Sequence, residues 1–497
     1  MSDTVQRFYE KCRFIHDLNE VQQLMEWDQQ VMMPRKGSDQ RGYQQAALAA
    51  VAHAKLTDPE VGDLIAELSQ KKDTSVDLAA DVREAKRAYD RAVKVPARLV
   101  TERARVCSLA QVAWEGAKGA NDFASFRPHL EAVLKVTREI AHAVGGGGSA
   151  YDALLDEYEP GMTEASLKVT FGDLRDRLVK LLGKLQGSSH KPSQAPVKRH
   201  FPKDAQVAFG LKVIADMGYD MQAGRLDVSA HPFTNGTMGD VRITTRYSED
   251  FLNMALFGTM HEAGHALYEQ GLDPERYRDP AGGFCSMGIH ESQSRFWENM
   301  IGRSRPFWKR YYPELRKAFP GVLDDVTEDA FYGAINVVQP SLVRVEADEV
   351  TYNLHIILRF ELESALLADQ LQAEDLPAAW NEKVKSFLGI VPPTDREGVL
   401  QDVHWSAGLF GYFPTYALGN LYAAQFAEAL RRDLPDLDAR VAAGELKDIK
   451  AWLNKNIHHQ GRRYLAQDLC AKVTGKPLSA DPADRYLTAK FSEVYGI

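Results

Sequence analysis

The chain has 497 residues, 44% of them hydrophobic and 26% charged, with a formal net charge of −9. It can bury a large core, and the acidic balance argues against a nucleic-acid partner, which would call for a basic face. No run of about 18 apolar residues is present, so no membrane span is expected; the start, Met1 to Arg7, carries no apolar secretion segment.

The first 190 residues read as helices. The stretches 20–27 and 43–52 have helical composition, and Met33-Pro34-Arg35-Lys36-Gly37-Ser38 between them reads as a turn. The stretch 78–118 is long, charged and periodic, which predicts one or two long helices with a solvated face. Gly145 to Ser149 reads as a flexible joint. The segment 151–161 leads into another helix near Glu164, and 187–196 is the clearest loop. The texture then changes. Residues 225–229 and 240–247 alternate and are β-compatible, joined by the turn-rich 231–236.

The apolar run 251–258 enters Met260-His261-Glu262-Ala263-Gly264-His265, an H-E-x-x-H pattern. Residues i and i+4 share one face of a helix, so His261 and His265 can hold one metal ion together. Glu262 falls beside the ion, where it can take a proton from activated water. Two imidazoles and a carboxylate suit zinc, and a catalytic zinc needs a third protein ligand. Glu291, in Gly288-Ile289-His290-Glu291-Ser292-Gln293-Ser294-Arg295, is the candidate. Chance alone gives H-E-x-x-H in a chain of this size and composition in roughly 3% of cases. The apolar surroundings count further against coincidence, because two histidines in a buried helix need partners.

From Glu291 to about Ala373 the chain reads as helical, with many charges between Ser341 and His355. Pro392-Pro393-Thr394-Asp395 breaks the pattern. The glycine- and aromatic-rich 401–416 suits a pocket wall and carries His404, Tyr412 and Tyr416, candidate donors to an oxyanion; the sequence does not choose between the tyrosines. The remainder to Ile497 reads as helices. His458 and His459 are adjacent and point about 100° apart on a helix, which makes them poor joint ligands. The four cysteines (Cys12, Cys107, Cys285, Cys470) form no Cys-x-x-Cys pair and read as free thiols of a reducing cytoplasm.

With H-E-A-G-H, I-H-E-S-Q-S-R at Ile289, H-P-F at His231, D-V-R-I-T at Asp240 and L-Q-D-V-H-W at Leu400, the chain resembles the thermostable carboxypeptidase Taq family almost end to end. The resemblance implies a mainly α, large helical metallopeptidase fold with a deep groove and a small antiparallel sheet beside the H-E-x-x-H helix. It implies a single catalytic domain over 1–497, with 1–190 lining or capping the groove and 200–497 carrying metal and catalytic residues. It also implies a cytoplasmic homodimer with one Zn²⁺, or Co²⁺, per chain. The activity expected is removal of single residues from the free C-terminus of peptides, with broad specificity. A dipeptidyl carboxypeptidase or short-peptide endopeptidase with the same zinc centre is the alternative. Arg344, in a family-like Arg344-Val345-Glu346-Ala347-Asp348-Glu349 run, is the candidate for the terminal carboxylate, since a guanidinium binds both oxygens. Its competing role is an internal salt bridge to Glu346, Asp348 or Glu349. His231, Asp240, Arg242 and Thr244 belong to family motifs and are expected to line the substrate groove or orient the ligands. The glycine run at 145–148 departs from the family pattern.

Overall fold

A computed structural model describes residues 3–145 and 147–497; Met1 and Ser2 of the N-terminal segment and Gly146 of the expected glycine joint lie outside the described residues. Contacts divide the chain into two compact units. The first combines Met1–Val93, Ser193–Ile335 and Ala423–Pro477; the second combines Lys94–Pro192, Asn336–Tyr422 and Leu478–Ile497. Among the described residues no helix is long and apolar enough to cross a membrane.

In the first unit, helix Asp3–Val31 is followed at Pro34 by the short 3₁₀ turn Arg35–Gly37 and helix Ser38–Leu56. Phe8 packs with Val61, Ile65, Leu68 and Val82 in one apolar cluster. The three short strands are β1 (Gly224–Val228), β2 (Thr234–Asn235) and β3 (Val241–Thr245), in the order β1-β3-β2. The sheet is mixed, where an antiparallel one was expected: β1 runs parallel to β3, with Arg225 opposite Arg242, and only β2 is antiparallel to it. The turn-rich link misled because it is no hairpin. From Ser229 to Asp240 about a dozen residues cross over, long enough to bring the chain back parallel. Arg225 and Arg242 both lie against the Trp27 ring, their guanidinium carbons 5.1 and 4.2 Å from its centroid, so the first helix is stitched to the sheet.

β3 leads into helix Leu252–Glu269, which is buried along nearly its whole length. It packs against helix Met287–Arg295, whose N-cap Ser286 accepts a hydrogen bond from Ile289 N. A π-helical turn, Phe296–Ile301, follows.

The expected charged helical stretch becomes two helices, Val76–Lys94, which belongs to the first unit up to Val93, and Ala97–Ala120 of the second unit, separated at Pro96. Phe123–Val144 packs beside Ala97–Ala120 and buries Phe126, Leu130 and Val133 among others. The expected continuous helicity of 291–373 is interrupted: 336–350 is irregular apart from the turn Arg344–Glu346. Pro340 cannot donate a backbone bond, and Asp348 accepts from the amides of Val350 and Thr351, starting a new helix at Thr351. That helix, Thr351–Leu367, is buried nearly all round, yet carries His355, Arg359 and Glu363 at four-residue intervals on one face. Buried charges need partners, and Arg359 and Glu363 have them, as described below, while burial lowers His355 to about 3 and keeps it neutral.

Candidate active site

Within the first unit, the motif helix brings His261 and His265 to one side, and helix Met287–Arg295 brings Glu291 opposite. Their ligand atoms all lie within 4.8 Å of one another. Glu291 Oε2 is 3.6 Å from His261 Nε2 and 3.3 Å from His265 Nε2. The two helices come this close because Gly264 has no Cβ. One built there would meet Ser294 Cα at 2.6 Å and Gln293 O at 2.7 Å.

The other ring nitrogens are already engaged. His261 Nδ1 is 2.9 Å from Glu298 Oε2. His265 Nδ1 is 2.5 Å from His290 Nδ1, and His290 Nε2 is 2.9 Å from Glu269 Oε1. A carboxylate can only accept, so His261 Nδ1 donates to Glu298 and His290 Nε2 donates to Glu269. That leaves His290 Nδ1 as acceptor for His265 Nδ1–H. Both Nε2 lone pairs are then turned toward Glu291, as metal coordination requires. Glu291 is itself fixed: Arg295 Nε donates to Oε1 at 2.6 Å and Ser294 Oγ to Oε2 at 3.1 Å. Burial pushes the Glu291 carboxyl up, but Arg295, His261 and the His265 bond outweigh it and hold it below the ordinary range. Burial likewise opposes Glu298, which Arg295 and His261 bring down to about 2. Burial and then neighbouring His290 lower His265 to about 3, so its imidazole stays neutral. Burial lowers His261, but the neighbouring Glu291 and Glu298 outweigh it and raise it, so a cation binding there would displace a proton from this ring. With that proton gone, the two Nε2 atoms and an ionised carboxylate form a donor set that fits a divalent cation such as zinc.

Glu262 sits beside this set, buried. Thr234 of β2 donates to its Oε2 at 2.7 Å and to its backbone oxygen at 3.0 Å, leaving Oε1 without a protein donor among the described residues. Burial raises the Glu262 carboxyl, with His261 and the Thr234 bond pulling the other way. A carboxyl displaced upward is suited to exchanging protons near neutral pH.

The remaining candidates of the first unit serve the sheet. Asp240 accepts both Arg242 Nε and Nη2 at 2.8 Å. Thr244 is fully buried, accepting from Ser229 Oγ at 2.7 Å and Phe233 N at 2.9 Å. His231 is exposed, and its carbonyl accepts from Ser229 Oγ. His458 bonds Gln293 Oε1 at 2.8 Å through Nε2 and takes part in no metal cluster among the described residues.

Within the second unit, Arg344 turns away from the acids next to it in sequence. Its Nε and Nη2 donate to Asp402 Oδ1 at 3.0 and 2.9 Å, and Nη1 donates to Tyr352 at 3.2 Å. Arg359, fully buried, donates from Nε to Asp402 Oδ2 at 2.7 Å. Asp402 therefore holds two guanidiniums, which outweigh its burial and keep it ionised. His404, Tyr412 and Tyr416 cluster nearby. His404 Nε2 is 3.4 Å from the Tyr416 hydroxyl, and the two tyrosine rings meet edge-on at 5.4 Å. Burial, opposed by Asp402 but joined by Arg344 and Arg359, lowers His404 to about 4.

Sequence reasoning missed Thr234, Glu269, Glu298 and Asp402. Glu269 was within reach, since His261, His265 and Glu269 repeat every four residues. Glu298 also follows Glu291 and Arg295 at helical spacing.

Paired histidines and a carboxylate poised for a divalent cation, on a mainly helical scaffold, are the mark of a metallopeptidase. Residues 7–491 match the sequence pattern of the carboxypeptidase Taq (M32) metallopeptidases. The chain is 46% identical over 486 residues to thermostable carboxypeptidase 1 of Thermus thermophilus, covering 95% of each. It is 41% identical over 490 residues to carboxypeptidase 1 of Bacillus subtilis, covering 98% of each. The crystal structure of the M32 carboxypeptidase from Deinococcus radiodurans R1 superposes with a TM-score of 0.97 at 39% identity, over the whole of both chains. The chain belongs to the carboxypeptidase Taq (M32) family and is a metallocarboxypeptidase, a hydrolase of peptides that depends on a divalent metal.

Proposed function

We propose that the enzyme removes single amino acids from the free C-terminus of peptides, with broad specificity, using one Zn²⁺, or Co²⁺, held by His261, His265 and Glu291. The observation that carries this reading is the convergence of three donors with Glu262 beside them, its Oε1 free and its Oε2 anchored by Thr234. When bound, the ion supplies Lewis-acid chemistry, polarising the scissile carbonyl and acidifying water. Glu262 takes the proton of the attacking water on its carboxylate and returns it to the leaving amine. His261 and His265 are kept from turning by Glu298 and His290, so the donors are positioned before substrate arrives.

Arg344 is the proposed receiver of the substrate's terminal carboxylate. Two guanidiniums share one carboxylate, and His404 is neutral above about pH 4, so the cluster carries one uncompensated positive charge. A substrate carboxylate supplies the missing charge by sharing Arg344 with Asp402. His404, Tyr412 and Tyr416 are proposed as donors to the oxyanion of the tetrahedral intermediate. Asp240, Arg242, Thr244 and His231 support the sheet that carries Thr234. A cytoplasmic homodimer in which the whole chain acts as one catalytic domain completes the reading; the four cysteines, all free thiols, suit a reducing compartment.

The test is a time course of product masses from an unblocked peptide and its C-terminal amide, with wild type, Glu262→Gln and chelator-treated enzyme. Single residues released from the free acid alone, with both treatments abolishing release, are expected. Dipeptide release, or cleavage of the amide, would replace this reading with a dipeptidyl carboxypeptidase or endopeptidase.

A further inference from the structure

The first unit contains a cavity of about 310 Å³ to which none of the three candidate metal ligands contributes. Its volume lies at the small end of pockets that hold small organic molecules, roughly 300–1,000 Å³. The walls are largely apolar and aromatic, with Ile15, Val61, Tyr277 and Phe284 among them. Two charged groups in the lining lack a partner of opposite sign among the described residues.

Glu20 is half-buried and accepts one hydrogen bond, from Gln23 Nε2 at 2.8 Å. No cation pairs with it among the described residues. Burial raises its carboxyl to about 7, and the charges it feels, Glu269, Asp17 and Asp240, are all negative. Arg462 is the counterpart. Its Nε donates to the Phe284 carbonyl at 2.8 Å and its guanidinium lies 5.2 Å from the Phe284 ring, yet it forms no ion pair among the described residues. The other acids of the lining are engaged: Glu84 with Arg83, Asp279 with Arg13, and Glu269 with His290. Half-buried charges of opposite sign on one apolar cavity, each without a partner, match a ligand that brings both charges itself. Arg278 is likewise held by Asp17, whereas Glu269 is met only by His290, whose Nδ1 accepts a bond and which brings no cation, so Glu20 and Glu269 against Arg462 leave the space best matched to a ligand of net positive charge. The Tyr277 and Phe284 rings also suit a cation.

We propose that this cavity is a second small-molecule site that binds a free basic amino acid, its carboxylate on Arg462 and its cationic group on Glu20. The site is separate from the residues proposed for peptide hydrolysis. It meets them through His290: Glu269 of the lining bonds His290, the Phe284 ring of the lining lies 4.8 Å from the same imidazole, and His290 in turn contacts His265.

The test is calorimetric titration of the full-length, chelator-treated protein with L-arginine and with agmatine, its decarboxylated analogue. Wild type, Glu20→Gln and Arg462→Met are compared, each with its thermal midpoint measured as a folding control. Removing the metal disables the peptidase centre, so a failure here is separable from a failure of the peptidase reading. Saturable binding of L-arginine is expected, at least tenfold weaker for agmatine and at least tenfold weaker in Glu20→Gln. Absence of saturation with L-arginine, or an unchanged Kd in Glu20→Gln, overturns the proposal. Should Arg462→Met fail to fold, agmatine still reports the carboxylate contact, and agmatine binding as tightly as L-arginine would remove Arg462 from the site.

Discussion

Replacing Gly264 with alanine probes how the two helices of the metal centre are set apart. An added Cβ would stand 2.6 Å from Ser294 Cα, where ordinary contact begins at 3.4 Å, so the helices must part by about 0.8 Å. Ser294 is backbone here and cannot swing aside, and Glu291 lies one turn before it on the same helix. The displacement is therefore passed to the carboxylate that faces His261 and His265 at 3.6 and 3.3 Å. Metal–ligand distances tolerate about ±0.2 Å, so a shift four times larger forfeits a ligand or strains the fold. We expect a stability loss of about 1–3 kcal/mol from overpacking. Metal affinity should fall by about 10- to 100-fold. The control is Gly258→Ala on the same helix, where the nearest atom is Thr245 Oγ1 at 3.7 Å. That variant should gain up to about 1 kcal/mol from helix propensity alone. Metal content after dialysis against buffered zinc, thermal midpoint and kcat/KM would be measured for both. A Gly264→Ala protein with wild-type metal affinity and melting temperature would refute the argument that backbone contact sets the ligand spacing.

Arg344→Ala should raise KM for peptides with a free C-terminus by at least about 30-fold, the equivalent of about 2 kcal/mol for a desolvated charge pair, with metal content unchanged; unaltered kinetics would remove it from the site. Glu298→Gln weakens the acceptor that holds His261 Nδ1, and metal affinity should drop about tenfold or more; equilibrium competition with a chelator checks this. Glu363 provides a pH test. It accepts from Tyr151, Trp405 and the Gly411 amide, yet burial pushes its carboxyl up to about 7 from 4.5. Its folded value lies above its unfolded one, so its contribution is full below about pH 4.5 and is lost as pH rises through 7. The stability of wild type relative to Glu363→Gln should fall by roughly 2 to 3 kcal/mol between pH 5 and pH 8. A difference independent of pH would contradict the buried-carboxyl argument.

The metal cluster was legible because helical spacing alone puts His261 and His265 on one face, and the helical textures of both units were legible from composition. What escaped reading depends on pairing across the chain. The local acids beside Arg344 looked like natural partners, but each is used elsewhere or exposed: Asp348 caps the next helix, Glu349 pairs with Lys490, and Glu346 is exposed. That left Asp402, dozens of residues on, as the acceptor. Thr234 lies on a two-residue strand inside the stretch that reads as a turn-rich link, so its contact with Glu262 had no signature in sequence. Asp240 and Arg242 carry a family motif and bond each other, while the Arg242 contact with Trp27 joins residues that helical or strand spacing does not connect.

The interleaving of the two units governs how the protein is made. The chain passes from one unit to the other after residues 93, 192, 335, 422 and 477. Synthesis at about 5–20 residues per second takes roughly 25–100 s for this length. The first unit lacks its last segment until Pro477 has emerged, and the second until Ile497. Neither can fold to completion while the ribosome is still early in the message, so the apolar helix bearing His261 and His265 waits for more than 200 residues of further synthesis. The apolar face of that helix is without part of its unit for that interval, and a ribosome stalled before residue 477 leaves both units incomplete.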